Sequence, residues 1–284
     1  MQPVLYFHAG CPDGFGAAFA AWRAWGGKGS FEPMGHDDEL PVAELAGRLV
    51  VFADIAPRNE ALRVLLEVVD RLVVLDHHLS ARDRYRSDPS LENLVRMGGH
   101  QVVFDLDRSG AVLAWQHFHP GEPVPDLLRY VEDQDLWRFA LPRSREVNAA
   151  LSSYPREFPV WEELARRPVE ELAAEGEPIV RANRIEVQQA LRFAHPVALG
   201  RLRVEAVNST VLRSAIGHEL AKRAAHGVPA GLVYRLVGRT VHATLYSTGD
   251  FDVARLAVER GGGGHRNAAG FLVSLEDWLR DYVA

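Results

Sequence analysis

The sequence predicts an α/β protein. Its N-terminal domain is built on a parallel sheet, and a helical connector joins this to a smaller α+β C-terminal domain. Over the first 140 residues, short and continuously apolar runs alternate with amphipathic stretches, the texture of strands buried on both faces by helices. From about Val169 to Phe193 the text is long, charged and helical, without a strand signal. Beyond Pro196 strand-like runs dominate. The predicted boundaries are residues 1–160, 161–195 and 196–284.

Taken in order, Val4-Leu5-Tyr6-Phe7 predicts a first strand and Gly16 to Trp25 an alanine-rich helix. Leu49 to Ala53 predicts a second strand, Arg58 to Val69 a helix by its apolar spacing, and Leu72 to Leu75 a third strand. Val102-Val103-Phe104 predicts a fourth, and Ser109 the N-cap of a helix reaching Phe118. The connecting helix is expected to be interrupted near Gly176-Glu177-Pro178. In the last domain, strands are expected at Leu202–Val207, Ala230–Val237 and Thr240–Tyr246, with helices at Val211–Ala225 and Asp252–Arg260.

The 284 residues are 47% hydrophobic and 25% charged, with a net charge of −6. That balance argues against long disorder and against a sequence-blind binder of long duplex DNA. No apolar run approaches the ~20 residues that span a bilayer, so no membrane association is expected. Pro3 to Phe7 is a short apolar run with no basic segment before it, unlike a signal peptide. Cys11 is the single cysteine, which excludes an internal disulfide and fits a cytoplasmic location. Residues 196–284 carry 11 Lys and Arg against 8 Asp and Glu, whereas the preceding part carries 21 against 30. An acidic, metal-binding half joined to an anion-binding half would show this asymmetry.

Polar residues collect where the predicted strands end. His8 to Gly14 follow the first, Asp54 the second, and Asp76-His77-His78 the third. In open parallel sheets the carboxyl ends of strands form the ligand crevice, so these residues are expected to converge. Clustered carboxylates repel unless they are protonated or share cations. Mixed imidazole and carboxylate sets suit divalent metals, with oxygen-rich sets favouring Mn²⁺ or Mg²⁺. Two such ions roughly 3.5–4 Å apart are a recurrent arrangement for hydrolysing phosphoesters, and Asp54 is placed to bridge them. A second cluster runs from Gly261 to Gly270 and contains Gly262, Gly263, Gly264, His265 and Arg266. Its glycines would present free N–H groups before a small-residue helix start at Ala268, an anion site to which His265 and Arg266 add donors.

These residues resemble the DHH phosphoesterases. Asp76-His77-His78 after an apolar strand is similar to the family signature, and Gly262-Gly263-Gly264-His265 followed by Ala268-Ala269-Gly270 to the motif of its C-terminal DHH-associated domain. Asp13-Gly14-Phe15-Gly16-Ala17-Ala18 resembles the first motif, and Phe52-Ala53-Asp54 the second. Tyr130 to Trp137 falls where the acidic fourth motif belongs, and Arg108-Ser109-Gly110-Ala111 resembles a helix start near the substrate.

The resemblance implies a DHH domain over 1–160 and a DHH-associated substrate-binding domain over 196–284, with the active site in the cleft between them. It implies two Mn²⁺ ions, with Mg²⁺ or Co²⁺ as substitutes. His8 would bind one ion, Asp54 would bridge, and His77 and Asp133 would bind the other, with Asp13 contributing to one of the two. His78 would act beside the scissile phosphate, with Asp76 orienting the histidines. Ser109, Gly262, Gly263, Gly264, His265 and Arg266 would hold substrate. The implied reaction is hydrolysis of short oligoribonucleotides or linear dinucleotides by a hydroxide activated between the metals, as in nanoRNase-type members. A phosphoanhydride hydrolase acting on polyphosphate or pyrophosphate, or a non-catalytic nucleotide sensor, is the alternative. A homodimer is compatible with the family.

The sequence departs from the family pattern in three places. The first motif usually carries two aspartates one residue apart, but only Asp13 is present. If the Asp-Gly step is the fixed point, Cys11 stands in the other aspartate's place, and either it or water completes the site. If Pro-Asp is fixed, Phe15 stands there. Asp135 rivals Asp133 in the fourth motif. Tyr246 stands where relatives often carry an arginine, which leaves that phosphate contact without a counterpart.

Overall fold

The computed structural model describes residues 2–35 and 38–283. The chain divides into two compact units, Met1–Val180 and Arg181–Ala284.

The first unit is built on β1 (Val4–His8), β2 (Ser30–Met34), β3 (Leu49–Ala53), β4 (Arg71–Asp76) and β5 (Gln101–Phe104). The order across the sheet is β2-β1-β3-β4-β5 and every pairing is parallel. Helices α1 (Pro12–Trp25), α2 (Asn59–Val68), α3 (Leu79–Arg86), α4 (Pro89–Met97) and α5 (Gly110–Phe118) lie between or after the strands. Then come α6 (Asp126–Asp135), α7 (Ser144–Ser153), α8 (Phe158–Leu164) and α9 (Val169–Ala190).

Alternate strand residues feed opposite cores. Leu5, Phe7, Val51, Ala53, Val73 and Leu75 pack with α1 and α5, whereas Val4, Tyr6, Val50, Phe52, Leu72 and Val74 pack with α2 and α4. Both faces are covered, which is why the strands read as unbroken apolar runs. Truncating the fully buried Phe52 to alanine would cost about 3–5 kcal/mol. Strand β2 escaped the sequence reading because its Ser-Phe-Glu-Pro-Met run contains Pro33. Proline is tolerated there because β2 is an edge strand.

The predicted break near Gly176-Glu177-Pro178 is absent, and α9 runs through Pro178. A Cβ on Gly176 would lie 1.8 Å from the Glu146 carbonyl oxygen of α7. This glycine marks a close helix contact instead of a break.

The second unit contains β6 (His195–Leu199), β7 (Leu202–Asn208), α10 (Arg213–Arg223), β8 (Ala230–Val237) and β9 (Thr240–Ser247). It is completed by α11 (Val253–Val258), β10 (Gly263–His265), β11 (Ala268–Ser274) and α12 (Leu275–Asp281). The sheet order is β10-β11-β9-β8-β7-β6, antiparallel except for the β7–β8 pair. Ile216 and Leu220 of α10 cover one face with Val207 and Val233, while α11 and Trp278 of α12 join the core on the other.

The expected helix start at Ala268 is a strand. Gly263, Gly264 and His265 pair with Gly270, Ala269 and Ala268 in an antiparallel hairpin. A Cβ on Gly262 would sit 2.0 Å from the Gly270 carbonyl oxygen, and Gly264 has φ +140°. The glycines therefore permit close strand approach, not a helix N-terminus.

Candidate metal centre

β1, β3 and β4 are neighbours in the sheet, and the strand order reverses between β1 and β3, the switch point where open α/β sheets place their ligands. His8 is the last residue of β1, Asp54 follows β3, and Asp76 ends β4 ahead of His77 and His78. Parallel register thus delivers these side chains to one edge.

Asp54 stands at the centre. Its φ is +60°, a left-handed conformation that non-glycine residues seldom hold and that recurs at functional sites. Its N–H donates to the Leu75 carbonyl at 2.9 Å, which ties the strained residue to β4. Oδ1 lies 3.0 Å from His77 Nε2. Oδ2 lies 3.5 Å from His8 Nδ1 and 3.1 Å from Cys11 Sγ. The two oxygens of one carboxylate therefore serve two different sets of partners.

His77 Nε2 also lies 3.6 Å from Asp13 Oδ2 and 3.5 Å from Asp135 Oδ2. Within the first unit two triads result among the described residues, His8–Asp54–His78 and Asp13–His77–Asp135, and within each the potential ligand atoms lie within 4.8 Å of one another. Asp76 turns inward to its neighbours. Its Oδ1 accepts from the N–H groups of His77 at 2.8 Å and His78 at 3.3 Å, and lies 2.7 Å from His78 Nδ1. That contact assigns the Nδ1 proton of His78 and leaves Nε2 as its ligating nitrogen.

The electrostatics are those of too many carboxylates in too little water. Burial, with Asp54 and Asp135 nearby, drives the Asp13 carboxyl well above its usual range. Asp135 is raised by burial and by Asp54. Burial would raise Asp54 too, but hydrogen bonds from His77 and His8 hold it well below. His77 loses solvation, yet Asp54, Asp135 and Asp13 push it up to about 10. The buried Asp76 Oδ2 has no hydrogen-bond partner among the described residues. Carboxylates and imidazoles so placed could hold metal ions, and the donor set fits divalent cations.

Asp13 has a second task. Its carboxylate accepts from the N–H groups of Gly110 at 2.6 Å and Ala111 at 3.1 Å, which docks the start of α5 against the centre. This approach requires glycines. A Cβ on Gly110 would lie 2.4 Å from Asp54 Cβ, and one on Gly14 would lie 2.3 Å from the His8 carbonyl oxygen. The motifs around Asp13 and Ser109 already contain both glycines, but the close contacts that require them are made only by the tertiary fold.

Asp133 does not meet the cluster: its carboxylate accepts from the N–H groups of Ala140 at 2.9 Å and Leu141 at 3.2 Å. It pins a loop in which Trp137 and Phe139 are left-handed. Residues two apart on a helix face opposite sides, so only one of Asp133 and Asp135 can turn to His77. Asp135 takes that place.

Ser109, expected at the substrate, is fully buried as the N-cap of α5, and its Oγ accepts from the Val112 N–H. Its own N–H donates to Glu132 Oε2 at 3.0 Å. Arg266, expected to hold an anion, donates to the Asp250 carbonyl at 2.8 Å and lies 3.1 Å from Asp250 Oδ1. In the same unit Gly262 donates to the Ala257 carbonyl, Gly263 and Gly264 lie in β10, and His265 ends that strand half-buried.

No family model matches the chain. An uncharacterized protein of Acanthamoeba polyphaga mimivirus is 25% identical over 292 residues, spanning 95% of this chain and 67% of that protein. Among solved structures, a pGpG-specific phosphodiesterase from Vibrio cholerae matches with TM-score 0.49 and 12% identity over 98% of this chain and 96% of its own. An exopolyphosphatase-related protein from Bacteroides fragilis matches with TM-score 0.49 and 12% identity, over 95% of this chain and 86% of its own. No described helix is long and apolar enough to cross a membrane.

Proposed function

We propose that this protein is a divalent-metal-dependent phosphodiesterase acting on short substrates, such as oligoribonucleotides of a few residues or linear dinucleotides. The observation that carries the reading is Asp54, whose two oxygens face separate His/Asp triads. His8, Asp54 and His78 would hold one ion, and Asp13, His77 and Asp135 the other, with Mn²⁺ the expected occupant. Such a pair of ions lowers the pKa of water and neutralises charge that develops on phosphoryl oxygens.

The chain's own residues do the rest. Asp76 keeps the His78 ring in one orientation. The strained turn at Asp54 keeps its carboxylate between the triads. Asp13 links its own triad to the start of α5, so the centre and that helix are built together. In the second unit, the Gly263–His265 hairpin is the proposed holder of a substrate phosphate. The DHH-like motifs at Asp13–Ala18, Asp76–His78 and Gly262–His265 support the same reading.

The test offers a ribodinucleotide and polyphosphate at equal concentration to the Mn²⁺-loaded chain. Release of nucleoside monophosphates that chelator abolishes is expected. Turnover of polyphosphate alone, or two tightly bound ions with no turnover of either substrate, would overturn the proposal.

A further inference from the structure

The centre contains a donor that the two triads leave out. Cys11 Sγ lies 3.6 Å from His8 Nδ1 and 3.1 Å from Asp54 Oδ2, and those two atoms are 3.5 Å apart. Around one tetrahedral ion, with sulfur at ~2.3 Å and nitrogen or oxygen at ~2.0–2.1 Å, donor atoms lie about 3.3–3.6 Å from one another. The sulfur–nitrogen and nitrogen–oxygen spacings match these edges. The sulfur–oxygen spacing is shorter, as expected while the thiol proton lies between the two atoms. Cys11 does not stand alone here, because His8, Asp54 and His78 already converge without it.

The local backbone also suits a thiolate. Cys11 is the N-cap of the 14-residue α1, and its sulfur accepts the Gly14 N–H at 3.1 Å. Helix N-termini favour negative charge on sulfur. A thiol that coordinates a dication gives up its proton to do so.

We infer that Cys11 is a thiolate ligand of the ion held by His8, Asp54 and His78, and that it turns this half of the centre toward softer ions such as Zn²⁺ or Co²⁺. The Asp13–His77–Asp135 half keeps the oxygen-rich preference for Mn²⁺ or Mg²⁺. The inference rests on the two-ion reading above. On binding, the thiol proton passes to solvent as the sulfur–metal bond forms, and no oxidation state changes.

Cobalt provides a readout separate from activity. The full metal-free chain, kept reduced, is titrated with Co²⁺ while absorbance and calorimetric stoichiometry are followed. A near-ultraviolet thiolate-to-cobalt charge-transfer band saturating at one ion per chain is expected. It should vanish in Cys11→Ser and Cys11→Asp, with folding confirmed by circular dichroism and two ions still bound. In equilibrium competition between Zn²⁺ and Mn²⁺, Cys11→Asp should shift the first position toward Mn²⁺ by at least ~10-fold, since a hard oxygen replaces a soft sulfur. Two cobalt ions bound to the wild type without the band would overturn the role of Cys11 alone. One ion with the band would overturn the two-ion reading and keep Cys11 as a ligand. No cobalt bound would overturn both.

Discussion

Gly110 makes room for Asp54: a Cβ at residue 110 would fall 2.4 Å from the Cβ of Asp54 and 2.8 Å from its Cα. The start of α5 thus touches the backbone of the residue that joins the two triads. Its N–H groups also hold Asp13. A helix terminus, a strained aspartate and a buried carboxylate form one packed object.

Gly110→Ala is therefore expected to displace Asp54 or α5 and to weaken divalent-ion affinity by at least ~10-fold, with a stability loss of about 1–3 kcal/mol from overpacking. Calorimetric Mn²⁺ titration and urea unfolding of the variant check both parts. Unaltered ion affinity would show that this contact does not hold the site in shape.

Asp133 and Asp135 should separate cleanly. Asp135→Asn removes a carboxylate from beside His77 and should lose one of two bound Mn²⁺ ions while the metal-free fold remains near wild-type stability. Asp133→Asn weakens the clasp on Ala140 and Leu141 and should lower stability by ~1–3 kcal/mol, the usual cost of hydrogen bonds to a charged group. Metal stoichiometry and denaturant midpoints, measured on both variants, distinguish them. A reversed pattern would refute the assignment.

His100 gives a pH dependence far from the metal centre. Its Nδ1 accepts the Leu72 N–H at 3.0 Å, which requires the neutral ring. Burial lowers its pKa, against a hydrogen bond to the Leu66 backbone that raises it, and Arg71 adds to the lowering. With the folded pKa below the unfolded value of ~6.5, the contribution is complete above that value and is lost as pH falls through it. His100→Asn keeps an acceptor that does not titrate. Between pH 8 and pH 5.5 the wild type should lose more of its urea midpoint than the variant does. Parallel curves would exclude His100 as a source of acid sensitivity.

Much of the centre is legible from strand ends. Once Val4–Phe7, Leu49–Ala53 and Leu72–Leu75 are read as parallel strands, His8, Asp54 and Asp76–His78 must meet at one edge, because parallel strands align their carboxyl termini. Ser109 as the cap of α5 was legible too, since a hydroxyl before an apolar helical run is a local signal. Its burial was not, because that depends on α6 supplying Glu132 above it.

By itself the sequence determined the two-faced parallel sheet and the meeting of its polar strand ends, since apolar runs of that kind can lose their contact with water only beneath helices on both sides. Tertiary structure alone decided which of two near-equivalent groups meets His77. The phase of α6 is set by burying Leu127, Leu128 and Val131, and that packing turns Asp135, not Asp133, toward His77. The Gly262–Gly270 segment has no periodicity of its own, and pairing of β11 with β9 made it a hairpin. Local chemistry supplies the candidate groups, but long-range packing chooses their directions, because a side chain's orientation depends on contacts with residues distant in the chain.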